Sequence, residues 1–284
     1  MNSYVDLHMH SKASDGTDLI PGLLLKIQET GIKTFALTDH DTIKGVLEMQ
    51  DIVPTGITFI RGVELSCKTD VAKCHILGYN YDIENKEFQA FVEEAHDVRK
   101  DKFERRIRYL KEAFGIEFTE EEMAELKKDN SPGKPQLAAM LLKKLKPDHP
   151  ELTVDDVFKT YLKNLPSGRV DGIRAVKAII AAGGVAVWAH PLGGVREKRL
   201  DAEKFSKQLR VLIDAGIRGL ECYYSEYTMD EVEKLCSAAK EHGLLISGGS
   251  DYHGTGKPHL HLGMLNKEDK IIEEEKLTVL DVLN

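Results

Sequence analysis

Short apolar runs rich in β-branched residues recur along the chain and predict buried strands. Amphipathic segments lie between several of these runs, and each is followed by a glycine, which is a signal for the end of a helix. The strand-like runs are Tyr4–Leu7, Thr34–Thr38, Ile57–Val63, Cys74–Tyr79, Val185–Ala189, Gly219–Tyr223 and Leu244–Ser247. The helical segments are Leu19–Thr30, Ile173–Ala182, Lys204–Ala215 and Met229–His242.

The alternation of strands with helices predicts βα units around a parallel sheet, and for 284 residues a closed barrel is the natural arrangement. The alternation stops between about Glu84 and Arg169, where only helical patterns occur. These patterns are Glu87–Phe114, Thr119–Lys128, Leu137–Leu145 and Val154–Leu162. We therefore predict a barrel in two parts, residues 1–83 and 170–284, with a helical insertion at 84–169.

The composition excludes several classes of function. Lys and Arg total 39 against 47 for Asp and Glu, and the net charge of −8 argues against binding to long nucleic acid. A short or single-nucleotide substrate is compatible with it. No apolar run approaches the ~20 residues of a membrane span, and a strand-like run begins at Tyr4, so we expect neither a membrane segment nor a signal peptide. The four cysteines form no CxxC pair, which favours reduced thiols in a cytoplasmic protein. No feature points to an obligate protein partner.

Polar side chains that commonly bind metals cluster where the apolar runs stop. His8 and His10 are two residues apart, so on a strand both point to the same face. The others are His40, Glu64, His75, His190, Asp251 and His253. Because the carboxyl ends of barrel strands converge on one mouth, residues distant in sequence are expected to meet there. The position of His75 along its strand is left open by the pattern.

One histidine at a strand end is usually a hydrogen-bonded structural residue. Here six of the 11 histidines lie beside strand-like runs, which favours a multinuclear metal site. Imidazole with carboxylate suits Zn, Mn or Fe better than Ca or Mg, which prefer oxygen ligands.

The order of these motifs resembles that of the PHP (polymerase and histidinol phosphatase) family. The matching segments are 6–10, 14–16, 37–41, 62–64, 75–78, 189–191 and 249–253. The resemblance implies an α/β fold, a distorted (β/α)7 TIM-like barrel with a helical insertion, that holds two to three divalent metal ions.

The resemblance also implies a set of ligands for each ion. One ion would be held by His8, His10, Glu64 and Asp251, a second by Glu64, His75 and His190, and a third by Asp15, His40 and His253. Asp15 stands where many members have His, which is typical of a subgroup of nucleotide-directed phosphoesterases with a helical insertion. Glu64, His190 and Asp251 are the implied catalytic residues.

Such a site favours hydrolysis of a phosphate ester by metal-bound hydroxide. Asp6, Asp39 and Asp41 adjoin the ligands, where they either orient imidazole N–H groups or cap turns. On the segment Glu87–Phe114, the resemblance implies that Arg99 contacts the nucleotide. The other cations of that segment are expected on a solvated, salt-bridged face: Lys102, Arg105, Arg106 and Arg108.

Two further substrate contacts are implied at positions that depart from the subgroup. Lys134 and Gln136 stand where Arg and His are usual, and Arg169 stands where an aromatic residue is common. Lys134 keeps a charge for phosphate but lacks the fork of a guanidinium, and Arg169 removes one surface on which a base could stack.

We therefore expect a metal-dependent phosphoesterase for a small phosphorylated substrate. The first candidate reaction removes the 3′-phosphate of a nucleoside 3′,5′-bisphosphate or acts at the end of a very short oligonucleotide. The alternatives are a phosphatase for a non-nucleotide metabolite, a non-catalytic regulatory module stabilised by metal, and an amidohydrolase.

Overall fold

The structure, a computed structural model, describes residues 3–127, 133–163, 168–195 and 199–283. Strands of this part of the chain form one sheet, whose members range from two to 11 residues. They are β1 (Val5–Asp6), β2 (Thr34–Leu37), β3 (Thr58–Lys68), β4 (Lys73–Tyr79), β5 (Val170–Asp171), β6 (Val185–Ala189), β7 (Gly219–Tyr224) and β8 (Leu245–Gly249).

Helices connect most of these strands, and several end where a glycine was predicted to stop them. Gly31 and Gly216 adopt φ of 81° and 104°, in the left-handed region that glycine tolerates best. The helices are α1 (Ile20–Thr30), α2 (Lys44–Gln50), α3 (Lys86–Phe114), α4 (Glu120–Lys127), α5 (Lys134–Leu145), α6 (Val154–Thr160), α7 (Gly172–Ala181), α8 (Ala202–Ala215) and α9 (Met229–Glu241). The short elements α2 and β5 were not predicted, because neither is long enough to produce a clear period.

The sheet curls into a barrel with the order β1-β2-β3-β4-β6-β7-β8, and β5 pairs with β3 outside this path. Its two ends meet, since the Leu7 N–H donates to the Gly248 carbonyl at 3.1 Å and the Asp251 N–H donates to the His8 carbonyl at 2.8 Å. A side chain at Gly249 would collide with the His8 backbone, so glycine permits this close approach. The predicted distorted (β/α)7 barrel is confirmed.

The expectation of an entirely parallel sheet is wrong for β4, which pairs antiparallel with both β3 and β6. Only four residues separate β3 from β4, which permits a hairpin but not the helical crossover that parallel strands need. The antiparallel direction of β4 places His75 at the barrel mouth. His75 pairs with Ser66 and Ala189, so the beginning of β4 lies at the same mouth as the end of β6.

The buried apolar residues form two cores. The larger core fills the barrel and its surrounding helices and includes the first three turns of α3. The smaller one, here called the cap core, joins the second half of α3 to α4, α5 and α6 and centres on Phe103, Leu110, Leu137, Leu141 and Val157. One helix thus contributes to both cores. The domain limits at 84 and 169 stay a prediction.

The cysteines Cys67, Cys74, Cys222 and Cys236 are free thiols. Among the described residues, no helix has both the length and the apolar character required to cross a bilayer.

Candidate metal centre

The nine predicted metal ligands converge at the barrel mouth, and each has a side chain no more than 11% exposed. His8 and His10 follow β1, His40 follows β2, and His190 follows β6 directly. The remaining ligands are Asp15 in the loop before α1, Glu64 within β3, His75 within β4, and Asp251 and His253 after β8. Glu64 does not end its strand as predicted, because β3 continues to Lys68 in its pairing with β4.

The first group of converging ligand atoms surrounds one oxygen of Glu64. The Nε2 atoms of His8 and His10 each lie 3.2 Å from Glu64 Oε2. The same two nitrogens lie 3.7 Å and 3.3 Å from Asp251 Oδ1. Ligand atoms of these four residues are all within 4.8 Å of one another, a spacing that one ion could bridge.

A second group surrounds the other oxygen of the same carboxylate. Glu64 Oε1 lies 2.7 Å from His75 Nδ1 and 3.0 Å from His190 Nε2. The two ring nitrogens are 3.3 Å apart. Glu64 therefore presents one oxygen to each group, the arrangement that a bridging carboxylate needs. Its role as a bridging ligand stays a prediction.

A third group forms around Asp15, with His40, His253 and His10. Asp15 Oδ1 lies 3.3 Å from His253 Nε2, and Asp15 Oδ2 lies 4.0 Å from His40 Nε2. Arg99 donates a hydrogen bond of 2.8 Å to Asp15 Oδ2, which leaves Oδ1 directed at the imidazoles.

These residues fit divalent ions by a test that does not depend on resemblance. Within the described part of the chain, several buried polar atoms lack a hydrogen bond, although unpaired buried groups cost stability. They include His8 Nε2, His10 Nε2, His40 Nδ1, Asp15 Oδ1 and Glu64 Oε2. Converging imidazole nitrogens and carboxylate oxygens are the donor set of a transition-metal site.

The electrostatics of the cluster keep its carboxylates ionised. Burial by itself would raise the pKa of Glu64, but the surrounding imidazoles of His40, His75 and His8 lower it well below its usual range. Burial, reinforced by Lys257, lowers the pKa of His253 to about 4. A neutral imidazole beside ionised carboxylates is ready to coordinate a cation.

Supporting residues that the sequence analysis missed hold the ligands in place. Glu221 on β7 accepts hydrogen bonds from His8 Nδ1 at 2.8 Å and from the His190 N–H at 2.7 Å. Tyr224 and Lys257 donate to Asp251 Oδ2 at 2.8 Å and 2.6 Å. An acidic residue inside the buried run Gly219–Tyr223 is a signal that could have identified Glu221, because a buried charge requires a partner.

The acidic residues next to the ligands bind backbone and hydroxyl groups. Asp39 accepts hydrogen bonds from the Ser11 N–H and from the hydroxyls of Ser11 and Ser14, which holds the loop that carries Asp15. Asp6 accepts from the N–H groups of residues 250 and 263, and Asp41 accepts from the N–H of residue 66. Two roles were open for these residues, the orientation of imidazole N–H groups and the capping of turns. The contacts favour the capping of turns.

Backbone strain is concentrated in the same place. Asp41, His190 and Asp251 have φ of 55°, 28° and 54°, in the left-handed region that residues with a side chain rarely adopt. Each follows a strand at the mouth, where such strain commonly accompanies function.

The three predicted substrate contacts, Arg99, Lys134 and Arg169, line a cavity of about 310 Å³ beside the ligand cluster. Arg169 also donates a hydrogen bond of 3.2 Å to the Cys74 carbonyl. Their contact with substrate stays a prediction.

The expectation of a solvated face is wrong for two other cations of α3. Lys102 and Arg106 are only 7% and 5% exposed and line the same cavity. Arg105 pairs with Asp101 at 2.7 Å, and Arg108 is exposed, as predicted. The charge pattern of α3 could not show which side of the helix the cap core would cover.

Comparisons with known proteins found a matching family and several relatives. A family model described as the PHP domain matches residues 6–170. A 5′-3′ exoribonuclease of Haemophilus influenzae is 32% identical over 260 residues, which cover 89% of this chain and 91% of the relative. A 3′,5′-nucleoside bisphosphate phosphatase of Chromobacterium violaceum is 27% identical and covers 89% of this chain and 88% of its own length.

Two further similarities extend over nearly the whole chain. A phosphoribosyl 1,2-cyclic phosphate 1,2-diphosphodiesterase of Eggerthella lenta is 27% identical, with coverage of 91% of this chain and 97% of the relative. A solved structure from Bifidobacterium adolescentis, described provisionally as a metal-dependent phosphoesterase, superposes with a TM-score of 0.80. It is 27% identical and covers 98% of this chain and 95% of its own.

Proposed function

This chain belongs to the PHP domain family and is a metal-dependent phosphoesterase, and from that premise we propose that it hydrolyses small phosphomonoesters. The proposed bond is the 3′-phosphate ester of a nucleoside 3′,5′-bisphosphate or the ester at the end of a very short oligonucleotide. Relatives named as a bisphosphate phosphatase and as exoribonucleases support this substrate class.

The observation that carries the proposal is the juxtaposition of two features in one cavity. Glu64, with unpaired imidazole nitrogens around it, lies on one wall, and buried cations of α3 lie on the other. The first feature suits divalent ions and the second suits the anionic part of a substrate. A cavity of about 310 Å³ suits a small molecule or the end of a short chain.

We expect the cluster to hold two or three divalent ions of manganese, zinc or iron. His8, His10, Glu64 and Asp251 would hold one, Glu64, His75 and His190 a second, and Asp15, His40 and His253 a third. When bound, such ions supply an activated water and neutralise charge on the phosphoryl oxygens.

The chain's own residues have separate tasks in this proposal. The carboxylate of Glu64 sets the spacing between the first two groups because each of its oxygens faces one of them. Arg99 lines the cavity and would bind a phosphate oxygen while its hydrogen bond to Asp15 keeps it in position. Tyr224 and Lys257 fix the carboxylate of Asp251.

The test is a substrate panel assayed with the Mn²⁺-loaded protein. The panel contains nucleoside 3′,5′-bisphosphates, 5′-phosphorylated dinucleotides, sugar phosphates and amides. Released phosphate is measured for the phosphomonoesters, and the products of the dinucleotides and amides are separated and quantified by chromatography. We expect turnover of the bisphosphates or the dinucleotides, and Glu64→Gln should lower kcat/KM more than about 100-fold.

Glu241→Gln, an exposed change on α9, is the matched control and should leave kcat/KM unaltered. Turnover of sugar phosphates alone would replace the nucleotide assignment with that of a metabolite phosphatase. Retention of metal without hydrolysis of any phosphate ester would contradict the proposal and favour a regulatory module.

A further inference from the structure

Three cations of the long helix α3 line the cavity. Arg99, Lys102 and Arg106 are spaced by three and four residues, so they share one face of the helix. All three are at least nine-tenths buried. The acidic residues of the same stretch, Asp97, Asp101 and Glu104, are exposed. This stretch of α3 therefore directs three cations toward the cavity, while its carboxylates face solvent together with the exposed cations Lys100 and Arg108.

Lys102 and Arg106 differ from Arg99 in their partners. Arg99 donates to Asp15, whereas neither Lys102 nor Arg106 forms a hydrogen bond or an ion pair with any described residue. Arg106 Nε is buried without a hydrogen-bond partner. A buried cation without a partner is costly, and a natural sequence rarely keeps two of them together unless an anion joins them.

The other charges around the pair increase this cost. Burial, with contributions from Arg99, Arg106 and Arg169, lowers the pKa of Lys102 to about 6. Burial, with Arg99 and Arg169, also lowers the pKa of Arg106. Among the largest influences on Lys102, the one favourable to its charge comes from Asp41, whose Oδ2 also lies 3.5 Å from Arg99 Nη1. The region has an excess of positive charge that a multiply charged anion would neutralise.

We infer that Lys102 and Arg106 form a second phosphate subsite, so that the substrate carries one phosphate at the metal centre and another against α3. This inference rests on the proposed function and narrows it to substrates with two phosphate groups. Because the helix rises 1.5 Å per residue, Lys102 and Arg106 lie about 5 Å and about 10 Å beyond Arg99 along the axis. The second phosphate is therefore held apart from the one beside Asp15.

A phosphate fits these two side chains better than a carboxylate of a substrate would. A guanidinium binds two phosphate oxygens in a planar fork, and an ammonium adds a compact charge at a third. A singly charged carboxylate would leave one of the two buried cations unneutralised. The subsite thus selects for a dianionic group at the far end of the substrate.

The first test compares two substrates that differ only by the second phosphate. With a nucleoside 3′,5′-bisphosphate, Lys102→Met and Arg106→Gln should each raise KM by about 10-fold to 100-fold, as expected for loss of a charge-assisted contact. With the corresponding nucleoside 3′-phosphate, kcat/KM should change less than about threefold. Arg108→Gln, an exposed change on the same helix, is the control and should leave KM and kcat/KM unchanged for both substrates.

A second measurement separates this inference from the proposed function. Titration calorimetry of the Mn²⁺-loaded protein with inorganic phosphate should detect two sites per chain, and the double variant Lys102→Met/Arg106→Gln should keep one. If neither nucleotide is hydrolysed, the proposed function fails, while two phosphate sites in the titration would still support the subsite. An equal loss of kcat/KM with both nucleotides would overturn the inference. So would a single phosphate site in both the wild type and the double variant.

Discussion

The ligand cluster at the barrel mouth and the cation face of α3 are both buried and charged, but they satisfy their charge differently. In the cluster, carboxylates and imidazoles alternate, with ligand atoms 2.7 to 4.0 Å apart. On α3, the charges that act most strongly on Lys102 and Arg106 are those of other cations. The first region suits a positive ion at its centre, and the second suits an anion. A phosphorylated substrate and its metal ions would together satisfy both.

The two regions also differ in how firmly they are held. Apart from Asp15 in the loop before α1, each predicted ligand lies on a strand or shortly after one. Residues such as Glu221, Tyr224 and Asp39 hold predicted ligands or their loops through hydrogen bonds. The α3 cations depend on the packing of one helix between the barrel core and the cap core. Changes in the cluster should therefore affect metal binding, and changes on α3 should affect substrate binding.

Among changes outside the predicted ligands, the largest effect is expected when the support of His8 is weakened. Glu221→Gln removes the charge that orients His8 Nδ1–H and also weakens the bond to the His190 backbone, so metal affinity or kcat should fall about 10-fold to 100-fold. Bound metal is counted by mass spectrometry of the purified variant, and kcat is measured in excess Mn²⁺. Full metal content with normal kcat would show that the cluster does not depend on its supporting residues.

A smaller effect is expected from the hydroxyl that holds Asp251. Tyr224→Phe deletes the donor 2.8 Å from Asp251 Oδ2 and should reduce kcat about 10-fold, while Lys257 keeps the carboxylate ionised. Tyr223→Phe, on the neighbouring residue of β7, is the matched control because that ring bonds none of the predicted ligands that the structure describes. A similar loss in both variants would indicate a general packing effect.

The smallest effect is a gain of stability on α3. Lys102→Met removes a buried cation without a partner and should stabilise the protein by about 1 kcal/mol near pH 6 in buffer free of phosphate. The free energy of unfolding is obtained from urea titrations of the wild type and the variant. The cluster should show the opposite behaviour, because loss of a metal ligand removes the stabilisation that bound ions provide.

The pH dependence of that gain follows from the pKa of Lys102. The pKa is about 6 in the folded chain and about 10.4 when unfolded, so the unfolded state binds more protons between these values. The wild type therefore gains stability as pH rises through this window, and the advantage of Lys102→Met should shrink toward pH 10. The exposed neighbour change Lys100→Met is the control. A pH-independent difference would contradict the assignment of the effect to this ammonium.

Most of the predicted ligand positions were accessible from sequence because strands impose a simple rule, whereas Asp15 was implied only by the family resemblance. Residues at the carboxyl ends of parallel strands meet at one mouth, so the positions of His40, His190 and Asp251 after apolar runs were sufficient to group them. His75 did not obey that rule, and its place follows from the antiparallel hairpin between β3 and β4. A four-residue connection is the local feature that decides this direction.

Local sequence patterns were enough to predict the order of the barrel elements, a helical insertion and the residue types that gather at the mouth. These features depend on local periodicity and on the positions of strand ends, and both can be recognised in short segments of the sequence. The tertiary structure decided which side of α3 is buried, and thereby placed Lys102 and Arg106 in the cavity. It also revealed Glu221 and Tyr224 as supports for His8 and Asp251. Burial and hydrogen-bond partners arise from packing between segments far apart in the chain, which no local pattern contains.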